Sequence, residues 1–457
     1  MASSRKSRPN SGDSVEAAVA AALKPLIFPR ARLVLGLSGG LDSIVLLELL
    51  RRLATPRDFR LSCVHVNHGI SPNARRWAVF CARRCEALGI PLAVHCVDLQ
   101  PYRSEGLEAA ARRARYEIFA RQEDADFIVL AQHLDDQAET LLLQLLRGAG
   151  VKGAAAMPVL RAQGGARAGA PALLRPMLEL SRRQIAAYAK ANKLKWVDDE
   201  SNADLRYDRN FLRHKVFPVI AQAFPGYRAT LARAAGHLAE ASLVLDGLAT
   251  ADAKFALSGK RLALAKLQRL GAARAKNLLR MLLQRRGAAA PEADHLEEAL
   301  RQLFHARDDA AVRVVLGPCE LRRYAGYAYL LPLMAEPPAG MRRQWDGTRV
   351  WPLAEIGGVL RFARAGGAGL AQARVAARGL NVRLRQGGEK LRLQAHGPTR
   401  SLKNLLQEAR MPPWERERLP LIYCADTLVA VPGLGVASGW QAVTGEPGWV
   451  LSWRPLK

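Results

Sequence analysis

The chain has 457 residues, too many for one ordinary domain and enough for roughly two to four units with separate cores. Lysine and arginine number 68 against 41 acids, a formal net charge of +27, and such a field draws polyanions, nucleic acid first, unless the excess only solubilises an Arg- and Ala-rich surface. No apolar run is long enough to span a membrane, the N-terminal stretch lacks the apolar centre of a secretory signal, and six scattered cysteines do not form a disulfide framework; membrane, secreted and disulfide-stapled classes are excluded, and a cytoplasmic location is expected.

In chain order, residues 3–8 read as a short basic tail, with a first helix completing an N-terminal segment that ends near residue 30. Apolar runs at 33–37, 61–66, 92–97 and 127–131 read as strands, and amphipathic patterns at 44–53, 73–88, 107–122 and 137–147 as helices. Strands alternating with helices predict an α/β unit with a parallel sheet covered on both faces, whose ligands bind beyond the carboxyl ends of the strands. The Gly- and Ala-rich stretch 161–171 reads as a loop before another helix at 181–192. Residues 221–303 are helical in pattern, 312–331 strand-like, and after Pro337-Pro338 a smaller unit of mixed type begins. Cys81 and Cys85, four apart on a predicted helix, have no partner pair at zinc-site spacing and read as buried thiols.

The first strand runs straight into Ser38-Gly39-Gly40-Leu41-Asp42-Ser43 and then a helix start. Glycines let the backbone approach an anion, the serines add hydroxyl donors, and the helix N-terminus favours negative charge, so the turn is built for phosphate. A Walker A loop would place Lys before its Ser or Thr; Asp42 here instead suggests Mg²⁺ held together with phosphate oxygens. An ordinary Gly-Gly turn capped by Ser38 is the plainer alternative.

The fourth strand ends in Gln132-His133-Leu134-Asp135-Asp136-Gln137-Ala138-Glu139. His133 suits donation to a phosphate or oxyanion, and Asp135 suits support of a metal. Asp136 and Glu139, three apart on one helix face, suit a cationic substrate, but an Asp at the N-cap with Glu at N3 is equally a capping pattern. His65-Val66-Asn67-His68-Gly69 closes the second strand; its two histidines face opposite sides, favouring a structural or nucleotide-lining role over a shared metal. Arg112, Arg115 and Tyr116 recur at helical spacing, as would a solvated basic face. Arg209 and Arg213, four apart, suit a phosphate gripped from one helix face, or else belong to an ordinary helix start. Between 374 and 418, Arg400, Lys403 and nine other cations outnumber four acids, with His396 and Trp414 interleaved, as where a nucleic-acid backbone is tracked and a base is stacked; a solvated surface is the alternative.

Taken together, the 38–43 turn, the 65–69 strand end, Gly106-Leu107-Glu108 through Arg115-Tyr116, the 132–140 segment, Arg175-Pro176, Ser201-Asn202 through Arg213, and the 400–414 stretch resemble the bacterial tRNA(Ile)-lysidine synthases, a branch of the PP-loop ATP pyrophosphatases. The resemblance implies a Rossmann-like PP-loop catalytic domain at 31–220, a mainly helical middle domain at 221–336 and a small α+β tRNA-binding domain at 337–457. It implies ATP as co-substrate with Mg²⁺, L-lysine and the tRNA(Ile) bearing a CAU anticodon as substrates, no membrane, and a homodimer as one assembly. It further implies that residues 38–43 bind ATP with Asp42 acting through Mg²⁺, that His133 and Arg112 steady an adenylate, that Asp136 and Glu139 bind the lysine ammonium, and that Arg209, Arg213, Arg400 and Lys403 contact tRNA. Gln132 departs from the pattern, standing where many relatives carry a second histidine. A PP-loop enzyme that transfers sulfur to an adenylated base is the alternative activity, though no reactive cysteine pair stands near the turn.

Overall fold

In the computed structural model, which describes residues 11–100, 106–162, 169–288, 291–307, 310–376 and 379–455, the chain divides into two units: residues 1–251 with 285–287, and 252–284 with 288–457. The tail expected at 3–8 lies outside the described residues.

The first unit opens with helix α1 (Ser11–Leu23) and strand β1 (Ala31–Gly36), then alternates α2 (Leu41–Ala54), β2 (Phe59–Asn67), α3 (Ala74–Ala87), β3 (Leu92–Cys96), α4 (Leu107–Ala120), β4 (Phe127–Val129) and α5 (Leu134–Leu146). The one-turn α6 (Val151–Ala154), β5 (Leu160–Arg161), β6 (Ala172–Leu174) and α7 (Arg182–Ala191) follow. Strand order is β3-β2-β1-β4-β6-β5, parallel except for β5, which pairs antiparallel with β6. The two-residue period of β1 sends Leu33 and Leu35 into a core with α1, α2, α3 and α7, and Val34 into another with Phe119 of α4. Both sheet faces are therefore covered by helices.

Successive strands step outward from β1 to β2 and β3, and then the order reverses to β4. The carboxyl ends of β1 and β4, in register through Leu33↔Phe127 and Leu35↔Val129, thus stand side by side at the switch point. The loop expected at 161–171 is flanked by β5 and β6, each too short to show a period, and its residues 163–168 lie outside the described residues. After α7 come α8 (Asp208–Phe211), a π-helical turn Leu212–Val216, α9 (Phe217–Ala223) and the 30-residue α10 (Tyr227–Ala256), within which the assignment passes from the first unit to the second.

In the second unit, helices Leu264–Arg269, Gly271–Gln284 and Ala293–His305 accompany an antiparallel sheet built from Leu257–Ser258, Arg261–Ala263, Arg313–Leu316, Cys319–Tyr324 and Tyr327–Pro332. Three further antiparallel sheets, of five, four and two strands, lie among the described residues of 342–455, with helices such as Leu402–Glu408. Strands within 257–263 interrupt a stretch whose Ala- and Leu-rich composition reads as helix, because Arg261–Ala263 pairs with Tyr327–Pro332 far along the chain, and Leu257–Ser258 pairs with Arg261–Ala263 in turn.

Candidate active site

The glycine turn after β1 is shaped by its own hydroxyls. Gly39 N–H donates to Ser43 Oγ at 3.1 Å, Gly40 N–H to Ser38 Oγ at 3.3 Å, and Ser43 O–H to the Gly40 carbonyl at 3.0 Å. Gly39 has φ +87, and a Cβ there would lie 3.0 Å from Cys81 Sγ and 3.0 Å from Val197 Cγ2, so both conformation and space require glycine. Ser38 caps the turn, not the helix: the residue before α2 is Gly40, which has no side chain to cap it, leaving the first-turn N–H groups for an anion. Cys81 and Cys85 are buried as expected, and burial pushes the Cys81 thiol up to about 12.

Because β1 and β4 are neighbours, His133 at the start of α5 meets Asp42 at the start of α2. His133 is buried; its Nε2 lies 3.7 Å from Asp42 Oδ2 and 3.6 Å from Asp136 Oδ2, and its Nδ1 3.9 Å from Asp135 Oδ2. Burial works to lower its pKa, but Asp136 first, then Asp42 and Asp135, raise it above the ordinary histidine value. Asp42 Oδ1 and His133 Nδ1 are buried without a hydrogen-bond partner among the described residues. The capping pattern differs from the expected one: His133 is the N-cap and Asp136, at N3, reaches back to accept the His133 N–H at 3.0 Å.

Asp135 is engaged elsewhere. The backbone N–H of Arg182 donates to its Oδ2 at 2.9 Å and Arg228 Nε donates to Oδ1, so both oxygens tie α5 to α7 and α10. These contacts give Asp135 a bracing role in the fold, beside the metal-supporting role expected of it.

Glu139 is 2% exposed and takes a two-pronged contact from Arg213, Nε to Oε1 at 2.7 Å and Nη2 to Oε2 at 3.0 Å, with Nη2 3.6 Å from Asp136 Oδ1. Burial holds the Glu139 carboxyl above its ordinary range, and Arg213 only partly offsets this. Arg209 donates to Thr140 Oγ1 at 3.0 Å. Arg209, expected on one α-helical face with Arg213, precedes the π-helical turn in which Arg213 sits, and Arg213 faces Glu139 and Asp136.

A cavity of about 560 Å³ opens beyond the carboxyl ends of β1, β2 and β4, lined by Ser38, Gly40, Asp42 and Ser43, by the end of β2, by Arg112, Arg115 and Tyr116 of α4, and by Arg209 and Arg213. His133, Asp136 and Glu139 do not line it; they adjoin it through Asp42 and Arg213. His65 and His68 both line the cavity, His65 with its Nδ1 paired to the Leu37 carbonyl at 2.8 Å and His68 3.4 Å from Arg115 Nη2. Burial, then Arg115, lowers the His68 pKa to about 4, so it is neutral. The Arg112 guanidinium lies over the Tyr116 ring, 5.1 Å from its centroid.

Two arginines that position this site carried no expected role. Arg175, 1% exposed, donates to Gln132 Oε1 and, at 2.9 Å, to the Pro158 carbonyl, which gives the departing Gln132 a partner; the signal was the Arg175-Pro176 pair itself. Arg228, which holds Asp135, had no local signal in a helix rich in arginine.

In the second unit, Arg400 is paired with Glu408 on the surface and Lys403 is exposed. Trp414 is not a surface stacking platform: it is 8% exposed, packed edge-on against Tyr324 and Tyr329, with the Arg322 guanidinium 5.5 Å from its ring centroid. The base-stacking expectation for Trp414 is corrected accordingly.

A switch-point cavity, a parallel sheet and a glycine turn with Asp but no Lys define an ATP-using enzyme of the PP-loop class. Residues 13–220 match the PP-loop domain family, 262–329 the TilS substrate binding domain and 380–453 the TilS substrate C-terminal domain. Relatives named tRNA(Ile)-lysidine synthase include those of Nitrosomonas europaea, 43% identical over 433 residues and covering 95% of this chain and 94% of the relative, and Azoarcus sp., 43% identical over 431 residues, covering 94% and 93%. Among solved structures, the U34-tRNA thiolase NcsA from Methanococcus maripaludis is similar at a TM-score of 0.44 and 19% identity over 50% of this chain and 79% of that one, too distant a likeness to bear on function. The chain belongs to the tRNA(Ile)-lysidine synthase family. Among the described residues, no helix is long and apolar enough to cross a membrane.

Proposed function

We propose that this chain uses ATP to join the side-chain amine of L-lysine to C2 of the wobble cytidine in the tRNA(Ile) with a CAU anticodon, working in the cytoplasm. The product pairs with A, so codon reading moves from AUG to AUA and the accepted amino acid from methionine to isoleucine. The observation that carries this reading is the meeting of Asp42 and His133 beneath an uncapped glycine turn, at the edge of a cavity at the sheet's switch point.

In the first half-reaction the cytosine O2 attacks the α-phosphorus of ATP and pyrophosphate leaves; in the second the lysine amine attacks C2, AMP leaves with the C2–O bond electrons, and the amine loses a proton. The 38–43 turn holds the departing pyrophosphate through its N–H groups and serine hydroxyls. His133, whose protonated form its carboxylate neighbours favour, supports the charge on the transferred phosphate, and Arg112 steadies the adenylate from the cavity wall. Asp136 and Glu139 receive a lysine ammonium group.

The residues suit Mg²⁺ as well. Asp42 Oδ1 is a buried carboxylate oxygen without a donor, and no three His, Cys, Asp or Glu side chains among the described residues are grouped to hold a metal by themselves. One carboxylate beside a phosphate turn is what Mg²⁺ takes when phosphate oxygens and water complete its shell. Bound there, Mg²⁺ would supply neutralisation of phosphate charge.

The basic surface at Arg400 and Lys403, with Arg209 at the cavity, contacts tRNA in this scheme, and the 31–220, 221–336 and 337–457 regions divide the work into catalysis, substrate positioning and tRNA capture. Incubation with ATP, labelled lysine and tRNA transcripts tests it. Label entering only the CAU isoleucine transcript, with release of AMP and pyrophosphate, is expected; sulfur incorporation, or binding without AMP release, would reject it. Among the described residues no cysteine lines the cavity, which disfavours sulfur transfer.

A further inference from the structure

We infer that Arg213 is a built-in stand-in for the substrate cation: its guanidinium holds Glu139 until lysine arrives, and lysine binds by displacing it. This rests on the proposal that Asp136 and Glu139 receive lysine.

Glu139 is almost wholly buried, and both its oxygens are taken by Arg213, which also approaches Asp136. A buried carboxylate without a partner is strongly unfavourable, so Glu139 stays ionised only while a cation sits against it and otherwise takes up a proton. A guanidinium on both oxygens competes with an ammonium for the same carboxylate. In addition, Arg213 lines the cavity whereas Glu139 and Asp136 do not, so a ligand in the cavity meets the guanidinium first. Arg213 also sits in the π-helical turn Leu212–Val216, a local widening typical of functional sites, between two short helices. Its charge senses Asp42 as well, so a displaced guanidinium keeps an anionic neighbour at the phosphate turn.

An internal competitor lowers apparent affinity by the fraction of molecules in which the site is open. Removing it should therefore tighten lysine binding, the reverse of what loss of a ligand-contacting residue would do. Calorimetric titration of lysine into the full-length protein, at mildly alkaline pH, which favours the ionised form of Glu139, compares wild type with Arg213→Ala, Arg213→Lys and Glu139→Gln. Arg213→Ala should bind lysine about tenfold tighter or better, and Arg213→Lys, which keeps a single-point cation, should fall between it and wild type. Guanidinium chloride at millimolar concentration should compete with lysine in Arg213→Ala and return its affinity toward wild type. If Arg213→Ala does not fold, the Arg213→Lys result decides. Arginine variants that bind lysine no tighter than wild type, while Glu139→Gln has lost it, overturn the stand-in and leave the lysine site standing. Undiminished lysine binding by Glu139→Gln instead overturns the lysine site itself.

Discussion

His133 Nε2 stands 3.7 Å from Asp42 Oδ2, linking the residue that precedes α5 to one in the first turn of α2. The pairing exists because β1 and β4 are adjacent in the sheet, and it connects the proposed magnesium carboxylate to the buried imidazole.

Asp42→Asn should lower AMP and pyrophosphate formation by roughly a hundredfold or more, since it removes the free carboxylate oxygen and the partner of His133 together. Binding of tRNA should persist, because the exposed basic surface is unaltered. Single-turnover AMP release alongside filter binding checks both halves; a collapse of tRNA affinity would show that the two functions share a site.

The raised pKa of His133 sets a pH window. A group whose folded pKa lies above its unfolded value contributes stability fully at pH below the ordinary histidine value of 6.5, and loses it as pH rises through the folded pKa. AMP formation in the absence of lysine should follow the same limb, declining above that pKa. Asp136→Asn removes a main carboxylate partner and should move the limb to lower pH. Proton NMR of the His133 ring together with the pH–rate profile tests this, and coincident profiles for wild type and variant would assign the titration to another group.

Asp135→Asn should act on stability rather than on metal use. Its carboxylate joins the Arg182 backbone and Arg228, and weakening a half-buried, charge-assisted hydrogen bond costs about 1–3 kcal/mol. The melting midpoint should fall while the Mg²⁺ concentration needed for half-maximal AMP formation stays as in wild type. A shift in that concentration would mark Asp135 as a support for the metal.

Lys403→Glu should weaken tRNA binding and flatten its salt dependence by about one unit of slope for each phosphate no longer neutralised. Arg400→Glu should do less, because Glu408 already engages that guanidinium. Equilibrium binding across a salt series orders the two; equal and salt-independent effects would return the patch to an ordinary solvated surface.

Trp414→Ala should cost about 3–5 kcal/mol of stability, the usual penalty for emptying a large aromatic site in a core. Among variants that remain folded, the salt slope of tRNA binding should not change. Thermal denaturation and the same salt series separate the roles.

What the amino-acid order determined by itself was local. The period of two in β1, the glycine turn and the alternation of strands with helices follow from interactions within a few residues, and they sufficed to place the sheet, the phosphate turn and the polar ends of β2 and β4. The tertiary structure alone decided which partner each charged side chain takes. Glu139 and Arg213 are 74 residues apart in the chain, and Asp135 and Arg228 are 93 apart; no spacing rule connects them. Trp414 likewise reads as a surface aromatic among arginines until Tyr324 and Tyr329 close over it. A short motif reports the chemistry a residue can perform, whereas burial and the nearest opposite charge, set by which elements cross, determine whether that chemistry is free to be used.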